Sequence, residues 1–327
     1  MKVGPFVILF FALMFLGCNP EKKHAYTFYY WKTKLFLNSA EKQALQKATA
    51  TSVFVRFFDI DKVGEKFEPI AVAQKDTSFA TTKRIVPVIF ITNRTFVNTN
   101  DEQASFLAQN IYQLLKKKTK DFNFKTASEI QIDCDWTVAT KGQYFAFLKE
   151  LSRISGKNIT CTLRLHQVKS RLKTGVPPVK KVYLMCYSTS SPIENNDENS
   201  ILEYKTLKKY LHNLEEYPIK KMDVALPVFS WAIVTNHLGR HQLINGISSE
   251  DLNHPNLEKT SENNAEVLKD GFYFGHFLNK GFQIKTEEIE EARLDETVRF
   301  LNKNIRSFNI VYYQLDGKFL KNRTFNR

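Results

Sequence analysis

Apolar segments of strand length alternate with amphipathic segments of helical length along almost the whole chain. Strands that alternate with helices favour a parallel sheet, because parallel neighbours need a crossover connection. Eight segments have the composition of buried strands: Tyr26–Trp31, Ser52–Asp59, Ile85–Thr92, Glu129–Trp136, Asn158–His166, Lys181–Tyr187, Asp223–Ala232 and Phe308–Gln314. Five segments have helical periodicity: Ser39–Ala48, Asp101–Lys118, Lys141–Ser155, Glu203–Leu214 and Glu287–Asn304.

Eight strands with intervening helices predict a (β/α)8 TIM-like barrel over residues 25–327. A doubly wound open sheet is disfavoured, because no glycine-rich phosphate loop follows Trp31. The regular spacing breaks at residues 168–180 and, more extensively, at about 235–286. The longer break predicts a long insertion after strand 7, with a hairpin turn at residues 279–281. Insertions after barrel strands lie at the C-terminal face, so this one should form a wall of any cleft there.

The first eighteen residues have the order of a secretory signal. Lys2 is followed by the apolar run Pro5–Leu16 and then by Gly17 and Cys18. Residues 15–18 resemble a bacterial lipobox, although Phe15 departs from the usual Leu. The resemblance implies a signal peptide over residues 1–17, cleavage before Cys18, lipid attachment to its sulfur, and a tether over residues 18–24. The alternative is an ordinary signal peptide with an incidental cysteine.

These features predict a lipid anchor in the membrane of the cell envelope. The six residues after Cys18 do not form an acidic run, which favours a periplasm-facing anchor over export to the surface.

The formal charge is +13, from 47 Lys and Arg against 34 Asp and Glu. Such a balance suggests an anionic partner, although the cations are scattered along the chain, as on a solvated surface. No nucleic-acid-binding motif accompanies the charge, so we expect no nucleic-acid partner.

Three cysteines remain in the predicted mature chain. Cys134, Cys161 and Cys186 each lie within an apolar strand-like segment. Three thiols cannot all form intramolecular disulfides, and no spacing typical of zinc ligands surrounds them. We therefore predict three buried thiols and no metal or cofactor.

The segment Glu129–Thr137 carries the most informative polar pattern. Asp133 and Asp135 are two residues apart, so on a strand both side chains point to the same face, which we place inside the barrel. Neighbouring buried carboxylates repel each other, and one should hold a proton near neutral pH. The pair could serve acid–base chemistry or orient a polar ligand. Alternatively, it could be a structural cluster neutralised by Arg56 and Arg164.

Ile132-Asp133-Cys134-Asp135-Trp136 resembles the fourth-strand motif Asp-x-x-Asp-x-Asp-x-Glu of family 18 glycoside hydrolases, the chitinase-like barrels. Met185-Cys186-Tyr187 is similar to that family's Met-x-Tyr on the sixth strand. The resemblance implies the barrel architecture and a sugar-like ligand. It does not imply chitinase activity, because Thr137 stands where the family has its catalytic Glu, and Ser188 replaces the usual Asp or Asn.

A broader resemblance covers the mature chain. Segments 29–32, 55–59 and 225–231 are similar to those of uncharacterised Bacteroidetes-type lipoproteins with barrel folds. That group implies an anchored barrel but no particular activity.

Aromatic residues at strand ends independently favour a carbohydrate ligand. Trp31, Trp136 and Trp231 fall at or near the predicted ends of the first, fourth and seventh strands, and Tyr187 at the end of the sixth. Sugar rings pack their C–H faces on flat aromatic side chains. The alternative is that these residues close the top of the barrel as core. His166 could move protons, but a lone histidine is more often a hydrogen-bonded structural residue.

Two functions remain open at this point. In the first, the cleft binds a glycan or related polar ligand without catalysis; in the second, it hydrolyses a glycoside with two carboxylates. The catalytic candidates are Asp135, Asp133 and Asp59. The ligand-binding candidates are Trp31, Arg56, Trp136, Arg164, His166, Tyr187 and Trp231.

Overall fold

Eight parallel strands close into a barrel, which confirms the predicted (β/α)8 TIM-like fold. A computed structural model describes residues 23–194, 198–321 and 323–327, so the predicted signal peptide and most of the tether lie outside the described residues. The strands are β1 (Tyr26–Tyr30), β2 (Ser52–Val63), β3 (Arg84–Ile91), β4 (Glu129–Asp133), β5 (Asn158–Arg164), β6 (Lys181–Met185), β7 (Lys221–Pro227) and β8 (Ile310–Tyr313). Each pairs with the next, and β1 closes the barrel by pairing with both β8 and β2.

Helices cover the outside of most of the barrel. They are α1 (Ser39–Lys47), α2 (Asp101–Phe122), α3 (Lys141–Ser155), α4 (Leu165–Lys169), α5 (Arg171–Thr174), α6 (Tyr204–Tyr210) and α7 (Glu291–Asn304). Asn100 caps α2 by accepting a hydrogen bond from the backbone N–H of Gln103. The connection from β2 to β3 contains no helix in the described residues; instead, Lys66–Ile70 pairs antiparallel with the extended end of β2. None of the described helices is long and apolar enough to cross a bilayer.

The insertion after β7 forms a separate antiparallel sheet with its own hydrophobic core. Its strands follow the spatial order His241–Asn245, Trp231–Thr235, Gln283–Glu287, Asn264–Val267 and Leu257–Lys259. A hairpin of Gly271–Tyr273 and His276–Leu278 extends from it. The core includes the buried side chains of Val234, Ile244, Val267, Leu278 and Ile284.

Two boundaries in this region differ from the sequence prediction. The apolar run after Asp223 divides into β7, which ends at Pro227, and an insertion strand that begins at Trp231. A turn is present at the predicted residues 279–281, where the N–H of Phe282 donates to the backbone oxygen of Asn279 over 3.1 Å, but the predicted hairpin across it is wrong. The strands on its two sides do not pair with each other; the hairpin turn is at Phe274 and Gly275, both with positive φ. Apolar composition marks a buried strand but does not reveal which partner the strand pairs with.

The three internal cysteines are free and buried, as predicted. Cys134, Cys161 and Cys186 are each 0% exposed. Burial raises the pKa of the Cys161 thiol to about 12 and raises the pKa of the other two thiols well above the usual range. Neither access nor ionisation therefore favours reaction of the native thiols.

We expect the folded protein to react with a thiol reagent such as Ellman's reagent only after it is denatured. The three thiols should then all become available, because their protection depends on packing in the barrel wall. Absorbance measured before and after denaturation tests this, with intact mass as a control for disulfides. Rapid reaction of the native protein would contradict the burial of these residues.

Candidate functional site

A cavity of about 770 Å³ opens at the C-terminal ends of the barrel strands. Its walls come from the strand ends and, on one side, from the insertion. The side chains that define its chemistry are Trp31, Arg56, Asp59, Phe90, Asp133, Asp135, Arg164, Met185, Tyr187, Phe229, Trp231, Asn245 and Tyr313. The insertion contributes Trp231 and Asn245, as expected for a cleft wall at this face.

An irregularity in β2 brings Arg56 and Asp59 to the same side of the strand. In a regular strand, residues three apart point to opposite faces. Here Arg56 is opposite Val88, whereas Phe58 is already opposite Ile89, so β2 contains a bulge between them. A bulge shifts the alternation by one residue and redirects the side chains beyond it. Both the guanidinium and the carboxylate therefore enter the cavity.

Arg56 holds two groups of the cleft together. Its Nε–H donates to Oδ1 of Asp59 over 2.6 Å, and its Nη2 contacts the second carboxylate oxygen. Its Nη1 also donates to the backbone oxygen of Trp31 over 3.2 Å, and the guanidinium lies 5.4 Å from the centre of the Trp31 ring. Asp59 and Trp31 are consequently fixed relative to each other before any ligand binds.

Asp133 lies at the floor of the cavity and is only 8% exposed. The hydroxyl of Thr162 on β5 donates to its Oδ1 over 2.6 Å. Burial, and then the negative charges of Asp135 and Asp59, raise the pKa of the Asp133 carboxyl to about 6. Asp133 is therefore the member of the pair that fits the prediction of a carboxyl with a pKa raised towards neutral pH.

Asp135 is the more accessible member of the pair. Its side chain is 48% exposed, and its Oδ1 is 3.3 Å from Nε of Arg164 on β5. Of the structural alternative, in which Arg56 and Arg164 neutralise Asp133 and Asp135, the structure shows the pair Arg164–Asp135, whereas Arg56 pairs with Asp59. Pairing does not remove them from the cleft, because all four side chains also line the cavity.

Aromatic rings form a continuous wall beside these charges. Tyr313 lies 5.5 Å between ring centres from both Trp31 and Tyr187, and 5.7 Å from Phe229. Phe229 is in turn 5.2 Å from Trp231, whose indole N–H donates to Glu287 of the insertion over 2.9 Å. Trp31 and Trp231 are partly exposed, so both present ring surface to the cavity.

The structure places two predicted site residues outside this cavity. Trp136 is fully buried, donates its indole N–H to the backbone oxygen of Thr174 over 3.1 Å, and stacks on Tyr144 of α3. Because β4 ends at Asp133, the alternation that would direct Trp136 no longer applies there. His166 is an exposed residue in α4 and does not line the cavity.

Other residues line the cavity without having been predicted as site residues from the sequence. Phe90, Phe229 and Asn245 line the cleft, but nothing in their local sequence distinguishes them from other apolar or loop residues. Glu287, which fixes Trp231, is separated from it by 56 positions. Among the described residues, no group of three or more His, Cys, Asp or Glu side chains is arranged to hold a metal ion.

Comparison with solved structures places the chain among chitinase-like barrels by fold. It is similar to the spore cortex-lytic enzyme SleL from Bacillus megaterium QM B1551, with a TM-score of 0.57 and 14% identity over 92% of this chain and 74% of that one. SleL from Bacillus cereus gives a TM-score of 0.55 and 14% identity, over 91% and 73% of the two chains. A chitinase from Chromobacterium violaceum ATCC 12472 gives a TM-score of 0.53 and 12% identity, over 91% of this chain and 96% of that one.

No family model matches the sequence, and no curated protein matches it. The similarity to these barrels is therefore one of architecture, and at this level of identity it establishes the fold alone. The chain has a glycoside hydrolase-like barrel.

We expect Asp133→Asn to stabilise the protein at about pH 8 by up to about 3 kcal/mol. The pKa of the Asp133 carboxyl is higher in the folded state than its model value of 3.8, so the fold loses stability as the pH rises through about 6. The amide removes this cost, and the gain should fade as the pH falls towards about 4. Thermal melting of both proteins at several pH values measures it.

A matched control is Asp121→Asn, because Asp121 is exposed at the end of α2. If Asp133→Asn lowered the melting temperature at about pH 8 while the control did not, the buried Asp133 carboxylate would stabilise the folded state, which would contradict the prediction.

Proposed function

We propose that this chain is a membrane-anchored envelope lipoprotein whose barrel cleft binds a glycan or a related polar ligand, without chitinase-type catalysis. The observation that carries the proposal is the combination, in one open cavity, of an aromatic wall with two arginine-paired carboxylates. Aromatic faces bind the apolar faces of sugar rings, and ionised carboxylates accept directional hydrogen bonds from hydroxyl groups.

The solved neighbours support the ligand class. They are named as a spore cortex-lytic enzyme and a chitinase. Active sites of (β/α)8 enzymes lie at the C-terminal face, which is the end at which this cavity opens. A cavity of about 770 Å³ is also within the usual range for small-ligand sites.

The absence of chitinase-type catalysis follows from the chemistry near the end of β4. By the motif resemblance, Thr137 occupies the position of the catalytic Glu. Its hydroxyl is 3.3 Å from that of Thr140, and Thr137 does not line the cavity. A threonine hydroxyl does not ionise in the range that a general acid needs. The nearest carboxylate in the chain, Asp135, is paired with Arg164.

One observation favours the second candidate function, an active glycoside hydrolase that uses Asp135 with another cleft carboxylate. Asp133, whose pKa is raised to about 6, is in the range of a general acid near neutral pH. In this mechanism Asp133 would protonate the leaving oxygen and Asp135 would act as the second carboxylate. The deep burial of Asp133 is the main obstacle, since a substrate oxygen would have to reach the floor of the cavity.

We expect Asp135→Asn to weaken glycan binding by about ten- to hundredfold, because it removes a charge-assisted hydrogen bond. The folded protein is first screened on a glycan array, and affinity for any glycan bound is then measured by calorimetry for the wild type, Asp135→Asn and the Asp121→Asn control. Early melting of Asp135→Asn with unchanged affinity would show that Asp135 only neutralises Arg164.

A panel of aryl glycosides separates binding from hydrolysis. The binding proposal predicts no turnover by the wild type. Turnover that is lost in both Asp135→Asn and Asp133→Asn would establish the hydrolase instead.

We expect Cys18→Ser to abolish labelling of the protein by a fatty-acid analogue in cells and to leave unprocessed precursor, because the lipid is attached to that sulfur. Gel mobility and in-gel fluorescence report both effects. Cys161→Ser is the control and should be labelled normally. Unchanged labelling of Cys18→Ser would rule out the predicted anchor and, with it, the periplasm-facing envelope location that we infer from it.

A further inference from the structure

The loops that lead into the barrel strands have a one-sided charge composition. Each strand of a (β/α)8 barrel starts at the same end, here called the base, opposite the cleft. Apart from the short turn Leu214–Glu216, which contains Glu215 and Glu216, and the connection into β3, which contains Asp76, the segments that precede the strands contain no Asp or Glu. These segments are residues 48–51, 123–128, 156–157, 175–180, 217–220 and 305–309.

Exposed lysines and arginines concentrate at the base instead. They lie in these segments, in the last helical turns before them, or at the first positions of strands. The exposed residues are Lys23, Lys47, Arg84, Lys120, Lys125, Lys180, Lys220, Lys221, Lys303 and Arg306. The nearest exposed carboxylates along the chain are Asp121, Glu215 and Glu216, and Glu216 is paired with Arg171. These ten cations are scattered along the sequence, but the fold places all of them at the base.

The cations at the two ends of the barrel differ in their partners. At the cleft end, Arg56 and Arg164 each contact a carboxylate, and so does Arg94. At the base, no carboxylate partner is found among the described residues for Lys125 or Lys180, nor for Lys47 or Lys221. These four lysines are consequently not neutralised by a carboxylate in the described part of the chain, whereas Lys181 at the start of β6 pairs with Asp223 over 2.7 Å.

The opposite end has the opposite balance. Residues 228–290, which include the insertion, contain nine Asp and Glu and five Lys and Arg, although the whole chain carries +13. The insertion therefore adds negative charge to the cleft end, whereas exposed cations surround the base.

We propose that the base of the barrel rests on the anionic headgroups of a lipid bilayer. The chain enters β1 at the base, so the proposed lipid on Cys18 is joined to this same end through Lys23. A cationic surface beside a membrane-binding segment reinforces attachment, since each lysine near an anionic bilayer adds to the attraction. This covalent connection favours a lipid surface over a nucleic acid as the partner.

The contact sets the direction of the cleft. With the base on the bilayer, the cavity lined by Asp135 and Trp231 is at the far end of the barrel and faces away from the membrane. The acidic insertion is then also kept away from the anionic headgroups. This inference rests on the proposed lipid anchor at Cys18 but not on glycan binding. The fragment tested below carries no lipid, so failure of the base to bind vesicles is distinguishable from failure of the anchor, which Cys18→Ser tests.

The test uses residues 23–327, which contain all eight strands and both hydrophobic cores. We expect this fragment to sediment with vesicles of equal parts phosphatidylcholine and phosphatidylglycerol, but not with phosphatidylcholine alone. Binding should be lost in about 1 M NaCl, where charges are screened beyond about 3 Å. The variant Lys125→Gln/Lys180→Gln/Lys221→Gln should bind about a hundredfold more weakly, at a few-fold for each lysine.

The control variant is Lys259→Gln/Lys269→Gln/Lys280→Gln, which removes the same charge from exposed positions in the insertion. It should bind like the wild type. Equal loss in both variants would show a response to net charge and overturn the assignment of the base. Binding to a DNA duplex without binding to anionic vesicles would overturn the membrane partner. The lipid and salt dependence of the unmodified fragment decides the proposal even if a variant does not fold.

Discussion

Closure of the sheet by β1 is the constraint on which the other features depend. Because β1 pairs with β8 on one side and β2 on the other, the parallel sheet has no free edge between them, and alternate residues of every strand must point into a confined interior. Polar residues directed inward can then only pair with one another or open to the cavity. The arginine–carboxylate pairs of the cleft are the result of this confinement.

The inward positions of β4 show the consequence along the barrel axis. At the base, Glu129 accepts a hydrogen bond from the hydroxyl of Tyr183 over 2.7 Å. At the floor of the cavity, Asp133 accepts one from Thr162, and just beyond the strand Asp135 reaches Arg164. Burial decreases from Asp133 to Asp135, so the same residue type changes from a carboxyl with a raised pKa at position 133 to an exposed, arginine-paired group at position 135.

The two ends of the barrel have separate chemistry because the fold assigns separate segments to them. Segments that follow strands build the cleft and its aromatic wall, and segments that precede strands build the cationic base. The insertion adds to the cleft end alone, where Glu287 fixes Trp231. A ligand site and a membrane-facing surface can therefore coexist without sharing a residue.

The periodicity of the sequence was sufficient to predict the barrel, since eight apolar segments with intervening helices have few other arrangements. Strand alternation, a local property, also predicted the inward direction of Asp133. Asp135 lines the same cavity but lies beyond the end of β4, where alternation no longer applies. The positions of Arg56 and Asp59 on one side depend on a bulge whose register is set by β3, and no local pattern reveals it. Trp136 points into the core and Trp231 starts an insertion strand for the same reason: each lies beyond a strand end that only the pairing with neighbouring strands determines. The sequence by itself determined which residues could be buried; the closed tertiary structure decided which charges meet, because contacts between distant segments depend on register and packing and not on local composition.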